Sequence, residues 1–287
     1  MSCRIYITRY TRMSIKLVLD SSADVTSMAE IPFAYAPLKV CTAEREFIDD
    51  DRLDVVEMVD FLASYKGRSS SSCPNAEDWL TAFGDAEEIL CITITGGLSG
   101  SYNTACTAKE IYEETHPGRR VEVLDSRTAG PEITLIAHKA RDLIREGKDM
   151  TEVITQLSGY KTEILFCLES LHNFANNGRV SKTVAAAAGL LGIRAVGRAS
   201  DEGTLEMLTK ARGEAKAMEA IKTYLAEYGY RGGRLYIHHC FADEVVERLA
   251  VSIRRDYPTV ETFIRPTRGL CSFYAERGGF LVAFEVG

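Results

Sequence analysis

Short, wholly apolar runs alternate along the chain with stretches in which apolar positions recur every three or four residues. In the first half, Ile15–Leu19, Leu38–Cys41, Ile89–Thr95 and Val121–Leu124 predict strands. Leu53–Tyr65, Asn75–Phe83, Ser101–Thr115 and Glu132–Glu146 predict helices. A strand without polar alternation is buried on both faces, and intervening helices supply the crossovers that parallel pairing needs. The first half therefore reads as a parallel sheet covered by helices.

The second half begins near Met150. Helix Thr151–Tyr160 leads to strand Ile164–Leu168, followed by helices Leu171–Ala175 and Lys182–Leu190. Strand-like segments Ala195–Arg198 and Leu205–Lys210 flank Asp201-Glu202-Gly203, a hairpin signal that makes this sheet mixed. Helix Glu214–Tyr228, strand Leu235–His239, helix Asp243–Asp256 and strands Thr262–Ile264 and Phe280–Phe284 follow. The expected organisation is a loosely held extension over 1–12, an N-terminal α/β domain over 13–150 and a C-terminal α/β domain over 151–287. The extension is basic and polar, and the apolar stretch behind it breaks at Asp20, too early for an export signal. Met13 is the alternative start.

Composition narrows the function classes. The formal net charge is −7, and basic residues form no run longer than the pairs Arg119-Arg120 and Arg254-Arg255. A phosphate-tracking nucleic-acid surface is thereby disfavoured. No apolar run approaches the roughly 20 residues of a membrane span, so no stable membrane insertion is expected. The 8 cysteines include no C-x-x-C pair, which argues against a zinc ribbon. Cys91, Cys167 and Cys240 lie in apolar runs and read as small buried hydrophobes of a cytoplasmic protein. Asp49-Asp50-Asp51 with Asp54 lacks the alternating spacing of a calcium loop and reads as a solvated loop before a helix. No metal is expected. Neither G-x-x-x-x-G-K-[ST] nor G-x-G-x-x-G is present, so no nucleotide cofactor is expected either.

The segment richest in chemistry is Ile92–Ala108, where a strand runs through Gly96-Gly97 and Ser99-Gly100-Ser101 into a helix. Open α/β sheets bind ligands beyond the carboxyl ends of their strands. A helix starting there offers unpaired N–H groups to an anion, and Ser99 or Ser101 adds a hydroxyl. The bland alternative is equally open: Gly100 makes the turn and Ser101 caps the helix. A serine-dependent acyl hydrolase using Ser99 is the rival reading. It departs from the G-x-S-x-G elbow, because Ser101 replaces the final glycine, and no histidine is placed by a motif. His238 and His239, adjacent on one strand, face opposite ways. Ser69 to Asn75 reads as a serine loop before a helix capped by Asn75. Asn177-Gly178-Arg179-Val180-Ser181 is a turn that offers a guanidinium, able to pair with an anion or to make an ordinary surface ion pair.

Taken in order, these segments resemble the DegV family. KLVLDSSAD (Lys16–Asp24) is similar to its opening strand and D-S-x-x-D turn, and Pro37-Leu38-Lys39-Val40 to its second strand. Ser71–Pro74 stands where the family has T-S-Q-P, and LSGSYNTA (Leu98–Ala105) resembles its L-S-G-T-Y-x-x-A. Asp125-Ser126-Arg127 resembles its D-S-x, Asn177–Ser181 its G-G-R-I-S and Lys210-Ala211-Arg212 its K-x-R. The resemblance implies a two-domain α/β fold with a long-chain fatty acid of fourteen to eighteen carbons in the cleft and no catalysis by this chain. It further implies that Ser71 and Ser99 meet the carboxylate, with backbone donors around Gly100 and Ser101. A fatty-acid kinase is the implied partner, to which such carriers present the carboxylate for acyl-phosphate formation. Two departures stand out. Ser71-Ser72-Cys73-Pro74 lacks the family's threonine and glutamine. Tyr274 occupies the position of the histidine in H-x-G-P-G, with Glu276-Arg277-Gly278 after it, so Arg179 and Tyr274 become the partner-facing polar pair.

Overall fold

The computed structural model describes residues 15–181, 183 and 192–287. The expected extension over 1–12 and helix Lys182–Leu190, but for one position, lie outside the described residues. The first sheet has the order β2-β1-β6-β7, from β1 (Ile15–Asp20), β2 (Phe33–Ala36), β6 (Glu88–Thr93) and β7 (Arg120–Asp125), all parallel. Leu17, Val18 and Leu19 have no exposure, as strands covered on both faces require. The sequence reading missed β2. It is an edge strand of four residues between Pro32 and Pro37, with Phe33, Ala34 and Tyr35 only half-buried, and so short a run flanked by prolines reads as a loop.

The predicted strand at Leu38–Cys41 forms, but elsewhere. As β3 (Lys39–Cys41) it pairs antiparallel with β4 (Glu46–Ile48) and β5 (Ser70–Ser72) in a separate three-stranded sheet. The serine run is therefore a strand and not a loop; Val40 pairs with Ser71 across the ladder. Serine has little strand propensity of its own, and cross-strand pairing supplies what it lacks. Helices α1 (Val55–Ser64), α2 (Ala76–Phe83) and α3 (Ser101–Thr115) form close to their predicted spans. Asp54 caps α1 by accepting from the Glu57 N–H, and Asn75 caps α2 in a reciprocal box with Asp78.

Helix α4 (Pro131–Arg145) joins the two halves. Ile133, Ala137, Ala140 and Ile144 pack into the core under the first sheet, while Leu135 packs on Tyr236 and Ala283 of the second. Met150 and Val153 of α5 (Met150–Gly159) also enter the first core. The helix just past the expected boundary thus packs with the half before it, because a turn of a few residues keeps it antiparallel to α4.

The second sheet has the order β10-β9-β8-β13-β11-β12. Its strands are β8 (Thr162–Leu168), β9 (Ile193–Ala199), β10 (Leu205–Arg212), β11 (Gly233–His239), β12 (Val260–Pro266) and β13 (Phe280–Glu285). Among the described residues only β11 and β12 of this sheet pair in parallel, so the sheet is mixed. Helices α6 (His172–Asn176), α7 (Glu214–Glu227), α8 (Asp243–Asp256) and α9 (Gly269–Ala275) complete the described chain. The tip of the β9–β10 hairpin rests on the loop after β6. Gly203 holds φ +74°, and a Cβ there would lie 2.1 Å from the Thr95 hydroxyl oxygen and 2.8 Å from the Arg127 carbonyl, so glycine is required on both counts. No helix among the described residues is long and apolar enough to cross a membrane.

Candidate functional site

The loop after β6, the β8–β10 face of the second sheet, strand β5 and helix α9 enclose a cavity of about 290 Å³. This is near the ~300 Å³ lower end of small-molecule sites. Its walls are mostly apolar, with Ile164, Phe166 and Leu168 projecting from alternate positions of β8. Arg179 and Arg198 are the only charged residues lining it among those described.

Ser71, Ser99, Gly100, Arg179 and Tyr274 all line this cavity, brought together from β5, the loop after β6, the turn after α6, and α9. The Ser71 and Tyr274 hydroxyls are 2.7 Å apart and hydrogen-bonded. The Tyr274 ring packs on Phe174 at 4.5 Å, and the Arg179 guanidinium lies 5.9 Å from its centre. Burial pushes the Tyr274 phenol above its ordinary range, opposed by the bond with Ser71 and the charge of Arg179, so the ring is a neutral hydrogen-bonding group near pH 7. Arg179 donates to the carbonyls of Leu98 (3.2 Å) and Asn177 (2.6 Å). No described carboxylate pairs with it.

Ser101 is not in the cavity. Gly100 is the N-cap of α3, Ser101 is the first helical residue, and its hydroxyl donates 2.6 Å to the buried Asp20 carboxylate. The alternative of a cap at Ser101 gives way to Gly100, and the Ser101 hydroxyl, expected at the carboxylate, is turned to Asp20 instead. Ser99 takes the capping part, since its hydroxyl oxygen accepts from the Ser101 N–H at 3.2 Å. Its proton remains available to the cavity.

Asp20 is the hub that the sequence reading missed. It has no exposure and also accepts from the Ile94 N–H (2.8 Å), the Ser22 N–H (3.2 Å) and the Ser22 hydroxyl. It thereby ties the end of β1 to the β6 loop and the start of α3. Burial pushes its carboxyl up, against the four donated bonds. Asp49 was expected in a solvated loop, yet it is 1 % exposed. Its two oxygens accept from the Gly269 and Leu270 N–H groups at 2.9 Å each, which caps α9 and fixes Tyr274 one turn later. Burial, aided by Asp24, pushes Asp49 up to about 6 against those bonds. Helix α9 itself escaped the sequence reading, because it is short and buried on nearly all sides and so shows no amphipathic period.

The 5 histidines are all engaged elsewhere: His116 with Thr115, His138 with Tyr236, His172 with Asn176, His238 with Asp24, and His239 with the Ala242 N–H. None lines the cavity, so the hydrolase reading finds no base beside Ser99 among the described residues. No group of acidic, histidine or cysteine residues among those described is placed to hold a metal.

A family model described as an uncharacterised protein of the DegV family matches residues 14–285. A DegV domain-containing protein of Streptococcus pneumoniae is 41% identical over 280 residues, covering 96% of this chain and 100% of that protein. Among solved structures, a DegV family protein of Eubacterium eligens loaded with heptadecanoic acid superposes with TM-score 0.93 at 41% identity, covering 95% of this chain and 100% of that one. The fatty acid kinase B3 protein of Streptococcus pneumoniae, loaded with linoleic acid, also gives 0.93, at 40% identity over 96% of this chain and 100% of that one.

Proposed function

The chain belongs to the DegV family, and from that premise and the unlike ends of the cavity we propose that it carries one long-chain fatty acid, with the carboxylate at Ser71, Ser99 and Arg179. The observation that carries the reading is electrostatic. Arg179 has only carbonyl partners among the described residues. Arg198 is ringed by Glu163 (3.5 Å), Asp201 (3.6 Å) and Glu206 (2.9 Å). An anion gains at the first and is repelled by the carboxylates around the second. A buried carboxylate without donors is costly, and the Ser71, Ser99 and Tyr274 hydroxyls meet that need. The apolar wall along β8 takes the tail, at roughly 0.8 kcal/mol per buried CH₂.

Delipidated protein titrated with a fluorescent fatty acid tests the reading. Saturable one-to-one binding is expected, and Ser71→Ala and Ser99→Ala should each weaken it by roughly 1–3 kcal/mol, the range for hydrogen bonds to a charged group. Stoichiometric labelling of Ser99 by a fluorophosphonate would instead favour the hydrolase.

The similarity to a fatty acid kinase B protein supports a kinase partner to which the carboxylate is presented. Tyr274 supplies one neutral hydrogen-bond donor where a histidine is able to become cationic. Acyl-phosphate formation with a generic fatty-acid kinase and ATP is therefore expected to be slow in wild type, faster in Tyr274→His and abolished in Arg179→Ala. Efficient turnover that Arg179→Ala leaves untouched would contradict this polar network.

A further inference from the structure

One wall of the cavity is shared with a second cleft. Thr128, Arg198 and Ala199 line the cavity and also line this cleft of about 470 Å³ on the far side. The register places the Arg198–Ala199 part of this wall at the opposite end of β8 from Leu168. Leu168 packs in one cluster with Phe174, Tyr274 and Val180, near the polar head. Arg198 pairs with Leu165 at the other end of β8, while Ala195 pairs with Leu168. Four steps along the strand lead from Ile164 to Leu168, about 13 Å at ~3.3 Å per step.

The second cleft is polar. Among its lining residues are Asp125, Ser126, Glu132, Lys161, Glu163 and Ser200. Of the partners of the Arg198 head, Glu163, Asp201 and the Tyr228 ring at 4.9 Å line this cleft, while Glu206 does not. Arg198 pairs with Leu165, whose side chain packs in the core on the other face of the sheet, so the Arg198 side chain turns away from the cavity and its backbone is the part that lines it. Ala199 lies two residues beyond Gly197, which pairs with Phe166, so its methyl group faces the cavity and is the small side chain that β9 adds to the partition.

Resting on the fatty-acid reading, we propose that this polar cleft is a subsite for the far end of the ligand, which accepts chains bearing a terminal hydroxyl and penalises plain chains long enough to cross the partition. A methyl terminus pushed past Thr128 leaves apolar wall for charged wall and gains nothing further per methylene. A terminal hydroxyl reaching the same place meets carboxylates and hydroxyls to which it can bond. Ala199→Leu thickens the partition from the cavity side without touching the head.

The test titrates delipidated protein with saturated acids from dodecanoic to docosanoic and with their ω-hydroxy counterparts. In wild type, affinity for plain acids is expected to rise with length and then level or fall. Beyond that length the ω-hydroxy acids should bind about tenfold more tightly than plain acids of equal length, the worth of one hydrogen bond to a charged group. Ala199→Leu should remove that advantage and leave dodecanoate within about twofold of wild type, which also shows that the variant is folded. An ω-hydroxyl that weakens binding at every length, as in a wholly apolar tunnel, overturns the subsite while leaving the carrier reading intact. Failure of every acid to bind overturns the carrier reading and the subsite with it.

Discussion

Asp20→Ala is expected to lower the stability of the protein by roughly 4 kcal/mol and to abolish fatty-acid binding. The carboxylate is fully buried and accepts from two backbone N–H groups and two hydroxyls. The hydroxyls of Ser22 and Ser101 are free to rotate toward other acceptors once it is gone. The Ile94 and Ser22 N–H groups are fixed by the backbone, and each buried donor left unpaired costs about 1–3 kcal/mol. A cavity adds to that cost. The consequence for function follows from connectivity: the same oxygen that receives Ile94 receives Ser101, so its loss frees the β6 loop on which Ser99 and Gly100 sit. Asp20→Asn keeps the shape and one acceptor and should lose about half as much. Urea unfolding midpoints read the stability, and fluorescent fatty-acid titration reads the site. A loss below about 1 kcal/mol for Asp20→Ala would show that the loop is held by something other than this hub.

The second large effect is a pH dependence centred on Glu132. This side chain accepts hydrogen bonds from Thr162 (2.6 Å) and Thr128, and burial pushes it up from 4.5 to about 7. Between those two values the folded state holds a proton that the unfolded chain has released. Stability therefore falls as pH rises from about 4.5 to about 7 and levels off above, by a total of roughly 3 kcal/mol from this one group. Glu132→Gln stays neutral at every pH and can still accept from one threonine while donating to the other. The variant should match wild type near pH 4 and exceed it by roughly 3 kcal/mol at pH 8. Asp49 is also pushed up, to about 6, so both proteins retain some slope. The difference between their urea midpoints at the two pH values isolates Glu132, and parallel curves would show that its proton is lost well below neutrality.

The parts of the fold that were legible in the sequence are those with a strong period. The buried parallel strands and the long amphipathic helices α3, α4, α7 and α8 stand where the apolar pattern puts them. Elements held by their neighbours were not legible. Strand β5 is three serines made extended by pairing with β3, and α9 is a short buried helix held by a carboxylate more than two hundred residues earlier. The same division runs through the site. Ser71, Ser99, Arg179 and Tyr274 stood out because they occupy recognisable turns and family positions, and the structure places all four on one cavity. Asp20 and Asp49 were in plain view but carried no local signal, since an aspartate ending a strand and one in an acidic run look alike on paper. Only tertiary burial separates them from solvated neighbours such as Asp50, which pairs with exposed Arg52. The wall shared with the second cleft was equally out of reach, because it joins a turn near residue 128 to a strand near residue 198.

The central claim, a single long-chain fatty acid held at this cavity, is tested most directly by native mass spectrometry of the purified protein before and after delipidation and re-addition of oleate. The predicted result is a one-to-one complex that disappears on delipidation, returns with oleate at one equivalent, and is reduced when Ser71 and Ser99 are both replaced by alanine. A folded protein that stays free of ligand in excess oleate would contradict the account.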